Sequence, residues 1–274
     1  MSPVTDSIAR FAPEALAARL DPVVDAAIAE GRIVGAVLLV AHDGKPVYAR
    51  AAGHADREAG TPTVTDTVFR LASVTKPMVA ATALALVEDG VLSLDDPVTQ
   101  FLPEFRPALA DGSVPVITVR HLLTHTAGLR YGYDASAGIC EGLAGPRLTM
   151  AENLARIAAQ PLAFAPGSAF LYSVAIDVLG GLLEQAADAT LPELVARKVT
   201  GPLGMADTEF HLSHPGRLAT AYADGALRAV PMSDPCTVMG AEGGVTFSPS
   251  RAFDRDVFPS GGAGMVGTAP DFLR

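Results

Sequence analysis

Residues 69–78 read FRLASVTKPM, and residues 79–90 continue as VAATALALVEDG. The second segment is rich in Ala and Leu and ends at Gly90, which predicts a helix that stops there. Ser73 would lie at the start of this helix and Lys76 one turn further on, because residues three positions apart share a helix face. The positive end of the helix dipole favours negative charge near Ser73. A serine hydroxyl beside an amine is the arrangement that a nucleophilic serine requires.

The Ser-x-x-Lys spacing by itself is a weak signal, since it arises about once by chance in a chain of ordinary composition and this size. Lysine is scarce here, however, because Lys45, Lys76 and Lys198 are the only lysines in the sequence. From the tetrad alone a second reading stays open, in which Ser73 caps the helix and Lys76 is a solvated surface residue.

Composition and charge favour a soluble protein that binds neither nucleic acid nor an anionic membrane. The net charge is −10 and the pI is near 5, whereas both of those partners require basic patches. No apolar stretch approaches the length of a membrane span. Cys140 and Cys236 are far apart and are expected to be free thiols. The N-terminus lacks a signal-peptide pattern, so we expect a cytoplasmic location.

The order of predicted elements is helical with one early hairpin. The apolar runs at 33–41 and 47–52 are expected to be strands joined at Asp43-Gly44, which favours a tight hairpin turn. Helices are predicted at 13–30, 118–126 and 173–187, and further helices are predicted to open at Thr149, Thr190 and Thr268.

The C-terminal third is rich in Gly, Pro and Ser and shows little periodicity beyond Gly204. A helix start at Thr268 is followed by Arg274, the last residue, only one turn later. Only one convincing strand pair is predicted, and an isolated hairpin is marginally stable in water. We therefore expect that further strands of this domain lie outside the sequence.

Two other patterns in the sequence could indicate sites. His121 and His125 have the spacing of a zinc-binding helix, but Leu122 stands where a metalloprotease has its glutamate base. We therefore expect helix packing or local hydrogen bonds for both rings, and no metal or cofactor. Tyr172 lies where a loop leads into an apolar helix. From its spacing alone we expect an aromatic side chain at an interface, with its hydroxyl hydrogen-bonded.

Several motifs in a fixed order resemble those of serine β-lactamases and penicillin-binding proteins. The resemblance covers roughly residues 20–274 and is nearest to the family VIII carboxylesterases, which share the class C β-lactamase fold. The motifs that carry it are Ser73-Val74-Thr75-Lys76, residues 90–98 (GVLSLDDPV), 122–129 (LLTHTAGL), 164–167 (FAPG), Tyr172-Ser173, 202–205 (PLGM) and 260–265 (SGGAGM).

The resemblance implies a β-lactamase/transpeptidase-like α/β fold, with an antiparallel sheet flanked by helices plus a helical region. It implies one catalytic domain over 1–274 whose C-terminal strands are missing. The parts of this domain are the N-terminal helix and hairpin (1–68), the helical region with the motifs (69–205) and a Gly/Pro-rich segment (206–274).

The resemblance also implies roles for three side chains. Ser73 would be the acylated nucleophile, Lys76 would take its proton, and Tyr172 would relay protons to the leaving group and to the deacylating water. The implied activity is hydrolysis of small, short-acyl carboxylic esters without metal or cofactor. The alternatives are β-lactamase or D-alanyl-D-alanine peptidase activity, or a non-catalytic binding protein of the same fold.

Two departures from the family pattern bear on these alternatives. Val174 stands where the penicillin-binding relatives have Asn, which fits ester better than lactam substrates. The family's third motif on a late strand is not found. We expect that a homo-oligomer or a separate C-terminal fragment completes the sheet.

Overall fold

A computed structural model describes residues 12–240 and 243–274. Its helices are α1 (Pro13–Ala29), α2 (Thr75–Glu88), α3 (Val119–Leu123), α4 (Met150–Ala158), α5 (Ala175–Ala187), α6 (Leu191–Val195) and α7 (Ala269–Leu273). Its strands are β1 (Gly35–His42), β2 (Lys45–Asp56), β3 (Thr61–Pro62), β4 (Phe69–Arg70), β5 (Tyr222–Ala223), β6 (Val230–Pro231), β7 (Cys236–Gly240), β8 (Gly243–Phe247) and β9 (Val266–Gly267). None of the described helices is long and apolar enough to cross a membrane.

The N-terminal hairpin forms as the sequence predicts. Strands β1 and β2 pair antiparallel, with His42 opposite Lys45 at the turn. Asp43 and Gly44 have φ of 51° and 71°. Positive φ at both central residues is the geometry of a type I′ turn, whose twist matches that of the flanking strands. Strand β3 pairs with β2 and completes a three-stranded sheet.

The main core lies between α2 and α5. Val79 and Ala83 of α2, and Leu179 and Leu182 of α5, are fully buried in one cluster. Nine consecutive residues of α5, from Ala175 to Leu183, are buried. A helix that is apolar on every side is expected at the centre of a domain rather than on its surface. These two helices carry the residues on either side of the candidate site.

Local signals at the helix starts are confirmed. Thr149 and Thr190 each form a capping box with the glutamate three residues later. The Thr268 side chain accepts a hydrogen bond from the Asp271 N–H. A side-chain oxygen satisfies backbone donors that have no partner inside the helix, so the same short pattern specifies a start at all three places.

The expectation of a single strand pair is wrong for the described residues. Strands β7 and β8 form a second hairpin in the segment that showed little periodicity. Met239 of β7 is 74% exposed and Val245 of β8 is 48% exposed. A ribbon with no buried face lacks the alternation of apolar and polar residues that indicates a strand. The predicted free thiols are confirmed, since Cys140 and Cys236 form no disulfide.

Two leucines of α2 provide a matched test of this packing. Leu86 is 2% exposed, whereas Leu84 is 48% exposed. We expect Leu86→Ala to lower the free energy of unfolding by about 2–5 kcal/mol, because it removes buried methyl groups and leaves a cavity. Leu84→Ala should change it by no more than about 0.5 kcal/mol. Urea denaturation followed by circular dichroism measures both, and equal losses would contradict this description of the core.

Candidate active site

Ser73 and Lys76 meet at the start of α2. The Lys76 amine donates a hydrogen bond of 3.1 Å to the Ser73 hydroxyl oxygen. Ser73 lies in a short 3-10 turn (Ala72–Val74) and is exposed, whereas Lys76 is only 7% exposed. The pair therefore joins a hydroxyl that a substrate can reach to an amine that is largely withdrawn from water.

The backbone just before Ser73 is strained, and hydrogen bonds to a distant part of the chain hold it in place. Ala72 has a φ of 44°, in the left-handed region that non-glycine residues seldom adopt. Strand β4 pairs with β9 just before it, and the Leu71 N–H donates to the Met265 carbonyl at 2.9 Å. The Met265 N–H in turn donates to the Thr75 hydroxyl at 3.1 Å. Such strain persists where surrounding contacts fix the conformation, as they do on both sides of Ser73.

A buried carboxyl group orients the turn that receives the other hydrogen bond of Lys76. The Lys76 amine donates to the Gly262 carbonyl at 2.8 Å. The Gly262 N–H and the Ser260 hydroxyl donate to Asp177 Oδ1, at 3.1 Å and 2.5 Å. A Cβ on Gly262 would lie 2.4 Å from Asp177 Oδ2, so this position requires glycine. Asp177 on α5 thereby fixes the carbonyl that holds the Lys76 amine.

Asp177 is fully buried, and burial raises the pKa of its carboxyl. The hydrogen bonds from Ser260 and Gly262, and the positive charge of Lys76, oppose this rise without cancelling it. Asp177 Oδ2 has no hydrogen-bond partner among the described residues. A raised pKa favours the neutral acid, which is the form that costs least in an apolar interior.

Two tyrosine rings flank the Lys76 amine. Its nitrogen lies 4.6 Å from the centre of the Tyr172 ring and 5.6 Å from the centre of the Tyr131 ring. The two rings are 5.6 Å apart. Burial raises the pKa of Tyr131 well above its usual range. The structure therefore brings together all three side chains that the sequence proposed, Ser73, Lys76 and Tyr172.

Tyr131, Asp177 and Gly262 were missed by the sequence reasoning. Tyr131 follows the LLTHTAGL segment by two residues, and Asp177 follows Tyr172 by five, inside a helix that otherwise reads as core. A carboxyl group in an apolar helix was the one available signal, because buried charged residues occur where they have partners. Gly262 lies within the SGGAGM segment, but nothing in that segment indicates a contact with Lys76.

Both histidine rings accept hydrogen bonds: the one to His121 is local, as predicted, whereas the one to His125 comes from a residue 48 positions away. His121 Nδ1 accepts a hydrogen bond from the Thr118 N–H at 3.2 Å, which closes the N-terminal cap of α3. His125 Nδ1 accepts one from the Ser173 N–H, also at 3.2 Å. Within the described ranges, no group of three or more His, Cys, Asp or Glu side chains could hold a metal ion.

Comparisons with known proteins bear directly on this geometry. Esterase EstB from Burkholderia gladioli is 51% identical over 269 residues, which cover 94% of this chain and 69% of that protein. The structure of EstCE1, described as a hydrolase with promiscuous acyltransferase activity, has a TM-score of 0.92 and 45% identity, covering 94% of this chain and 71% of its own. A class C β-lactamase has a TM-score of 0.72 at 19% identity, covering 95% of this chain and 63% of its own, and so shows the fold alone.

These matches confirm the predicted fold class and the predicted class of enzyme, a serine hydrolase similar to carboxylesterases. The family model described as Beta-lactamase matches residues 20–274, a range that includes every motif on which the resemblance rests. With these residues matched and Ser73 in contact with Lys76, the chain belongs to the β-lactamase family.

Proposed function

We propose that this chain carries out the chemistry of a serine carboxylesterase that cleaves small, short-acyl esters through an acyl-serine intermediate. The observation that carries the proposal is the 3.1 Å hydrogen bond between the buried Lys76 amine and the exposed Ser73 hydroxyl. The names of the esterase EstB and of the hydrolase EstCE1 support an ester as the bond that is cleaved.

In the first half of the reaction, Ser73 Oγ attacks the ester carbonyl while its proton passes to the Lys76 amine. The carbonyl oxygen becomes an oxyanion, and backbone N–H groups at the start of a helix have no partner inside that helix. The Ser73 N–H is placed at such a start, so it would donate to the oxyanion. The strained residue Ala72 directly precedes this donor.

In the second half, Tyr172 moves protons between Lys76 and the reacting oxygens. The alcohol leaves with the proton that Lys76 received, passed through the phenol, and the acyl group stays on Ser73. Water then attacks the acyl carbon and passes a proton through the phenol to the Lys76 amine. The bond between the acyl carbon and Ser73 Oγ breaks, Lys76 returns the proton to Oγ, and the carboxylic acid is released. The ring of Tyr172 lies 4.6 Å from the Lys76 nitrogen, which supports this relay.

Ester substrates are favoured over β-lactams and D-alanyl-D-alanine peptides by the residue that follows Ser173. Val174 is fully buried at the start of α5 and has no polar group. A site that lacks an amide side chain there cannot use it to hydrogen-bond the amide of a lactam or a peptide. A non-catalytic binding protein would not require an amine buried against an exposed serine.

Several broader expectations stay predictions. They are a single domain over 1–274, a cytoplasmic location, the absence of cofactors, and a homo-oligomer or separate C-terminal fragment that completes the sheet. The chain spans 69% of the length of EstB, so the substrates and partners of a whole protein are also proposals.

Replacement of Ser73 by Ala tests the nucleophile. We expect Ser73→Ala to abolish covalent labelling by a fluorophosphonate and hydrolysis of p-nitrophenyl acetate, because no hydroxyl remains to be acylated. Ser168→Ala is the matched control, since Ser168 is exposed and its hydroxyl donates to the Ala165 carbonyl. Intact mass spectrometry measures the adduct, and an adduct on the Ser73→Ala protein would disprove the assignment.

Replacement of Lys76 by Arg tests the base. Arginine keeps the positive charge but cannot accept a proton near neutrality, so kcat should fall by about 10²–10⁴-fold. Lys198→Arg is the control, because Lys198 forms an ion pair with Asp89 that arginine can keep. A normal kcat for Lys76→Arg would exclude the base role.

Paired substitutions of Asp177 test the support beneath Lys76. Asp177→Asn keeps an oxygen that accepts from Ser260 and Gly262, so its kcat should stay within a few-fold of wild type. Asp177→Ala removes that acceptor and frees the turn, and a small displacement of reacting groups costs up to about 10²-fold in rate. Kinetics on p-nitrophenyl acetate, with thermal melting as the check on folding, separate the two. Equal activity of both variants would contradict this role.

A further inference from the structure

His125 has a backbone conformation that its surroundings must maintain. It lies two residues after α3, is half-buried, and has a φ of 54°, in the left-handed region. Residues other than glycine seldom occupy this region, and those that do are concentrated where function or packing requires them. The Thr126 N–H donates to the His121 carbonyl at 2.9 Å across this position. The strained conformation directs both the ring and the carbonyl of His125 toward residues 171–173.

Three contacts of His125 surround Tyr172. Its backbone carbonyl accepts a hydrogen bond from the Leu171 N–H at 3.0 Å. Its Nδ1 accepts one from the Ser173 N–H at 3.2 Å. Its ring centre lies 4.7 Å from the centre of the Tyr172 ring, with an angle of 38° between the planes. The residues before and after Tyr172 are thus hydrogen-bonded to His125, and the phenol ring packs against the imidazole.

We propose that His125 is the positioning residue that fixes the phenol of Tyr172 beside the Lys76 amine. Tyr172 is itself 43% exposed, so the rest of the domain restrains its ring only in part. The proposal rests on the proposed function, in which Tyr172 relays protons from Lys76. His125 acts through Tyr172 and need not touch the substrate.

Neutral imidazole is the form that makes these contacts. Because Nδ1 accepts from the Ser173 N–H, the ring proton of the neutral form is assigned to Nε2. Burial, and then the positive charge of Lys76, lowers the pKa of His125 to about 4. Protonation would place a hydrogen on Nδ1, which could then no longer accept from the Ser173 N–H, although it could donate to the Ser173 hydroxyl oxygen at 3.3 Å. The neutral ring is therefore the form that holds the Ser173 N–H, and Lys76 and the Tyr172 phenol are the titratable groups that face it.

A double-mutant cycle with Tyr172→Phe tests the proposal. His125→Phe keeps an aromatic face but removes the acceptor for the Ser173 N–H. His125→Asn tolerates positive φ and offers an acceptor oxygen, but it lacks the ring. We expect each single variant to lower kcat on p-nitrophenyl acetate by about 10–100-fold with KM changed less than about twofold, since it displaces a group that acts after binding. In the Tyr172→Phe background, the same substitutions should cost no more than about twofold further.

The controls separate this role from a merely structural one. His121→Asn alters the other histidine of the motif, whose ring accepts from the Thr118 N–H, and should leave kcat within about twofold of wild type. Thermal melting checks that each variant folds, and His125→Asn, which suits the left-handed backbone, decides the matter if His125→Phe does not fold.

Each outcome of the cycle has a distinct meaning. Non-additive losses support the positioning role. Equal losses with and without the Tyr172 hydroxyl, or a normal kcat for His125→Asn, would overturn it while leaving the esterase proposal intact. Full activity of Tyr172→Phe would overturn the relay and the positioning role with it. Failure of the esterase proposal is seen separately, as activity retained by Ser73→Ala.

Discussion

The site depends on the way the Lys76 amine is held. Taking an ammonium group out of water is costly unless its donors are satisfied, and here they point to the Ser73 hydroxyl and the Gly262 carbonyl, with aromatic rings beside them. The same contacts that make the amine chemically useful also fix its position against the serine.

The scaffold supplies this arrangement from three separate parts of the chain. The 3-10 turn and helix α2 carry Ser73 and Lys76, helix α5 carries Asp177, and the turn before β9 carries Gly262. Asp177 connects the last two through hydrogen bonds to Ser260 and Gly262, all of which are buried. The core between α2 and α5 therefore has a second function, since any shift of one helix against the other would move the Gly262 carbonyl away from the amine.

The similarity to both β-lactamases and esterases is explained by the catalytic pair and the residues around it. The described residues share the fold of a class C β-lactamase, while the higher identities are to an esterase and a hydrolase. The hydrogen-bonded pair of Ser73 and Lys76 suits any acyl transfer to serine. The proposed preference for esters depends instead on other groups, among them the buried, apolar Val174 after Ser173, while Tyr131 adds a second ring beside the amine. One fold can serve several reactions when the catalytic residues are kept and the residues around them differ.

The sequence by itself determined the features that depend on near neighbours in the chain. The capped helix starts at Thr149 and Thr190, the turn at Asp43-Gly44 and the meeting of Ser73 with Lys76 each involve residues no more than about four positions apart, so local geometry specifies them. The role of Tyr172 came from the resemblance to a family, because its distance along the chain from Lys76 carries no geometric information.

Only the tertiary structure decided which distant groups surround the amine. Gly262 lies 186 positions from Lys76, and Asp177 lies 85 positions from Gly262, so their contacts arise from the packing of α2 against α5 and not from any local pattern. The hairpin of β7 and β8 was not predicted, for a related reason. Neither strand has a buried face, so its sequence lacks the alternation of apolar and polar residues that indicates a strand. Patterns in a sequence record local geometry and burial, whereas the partner of a buried polar group is set by how the elements pack.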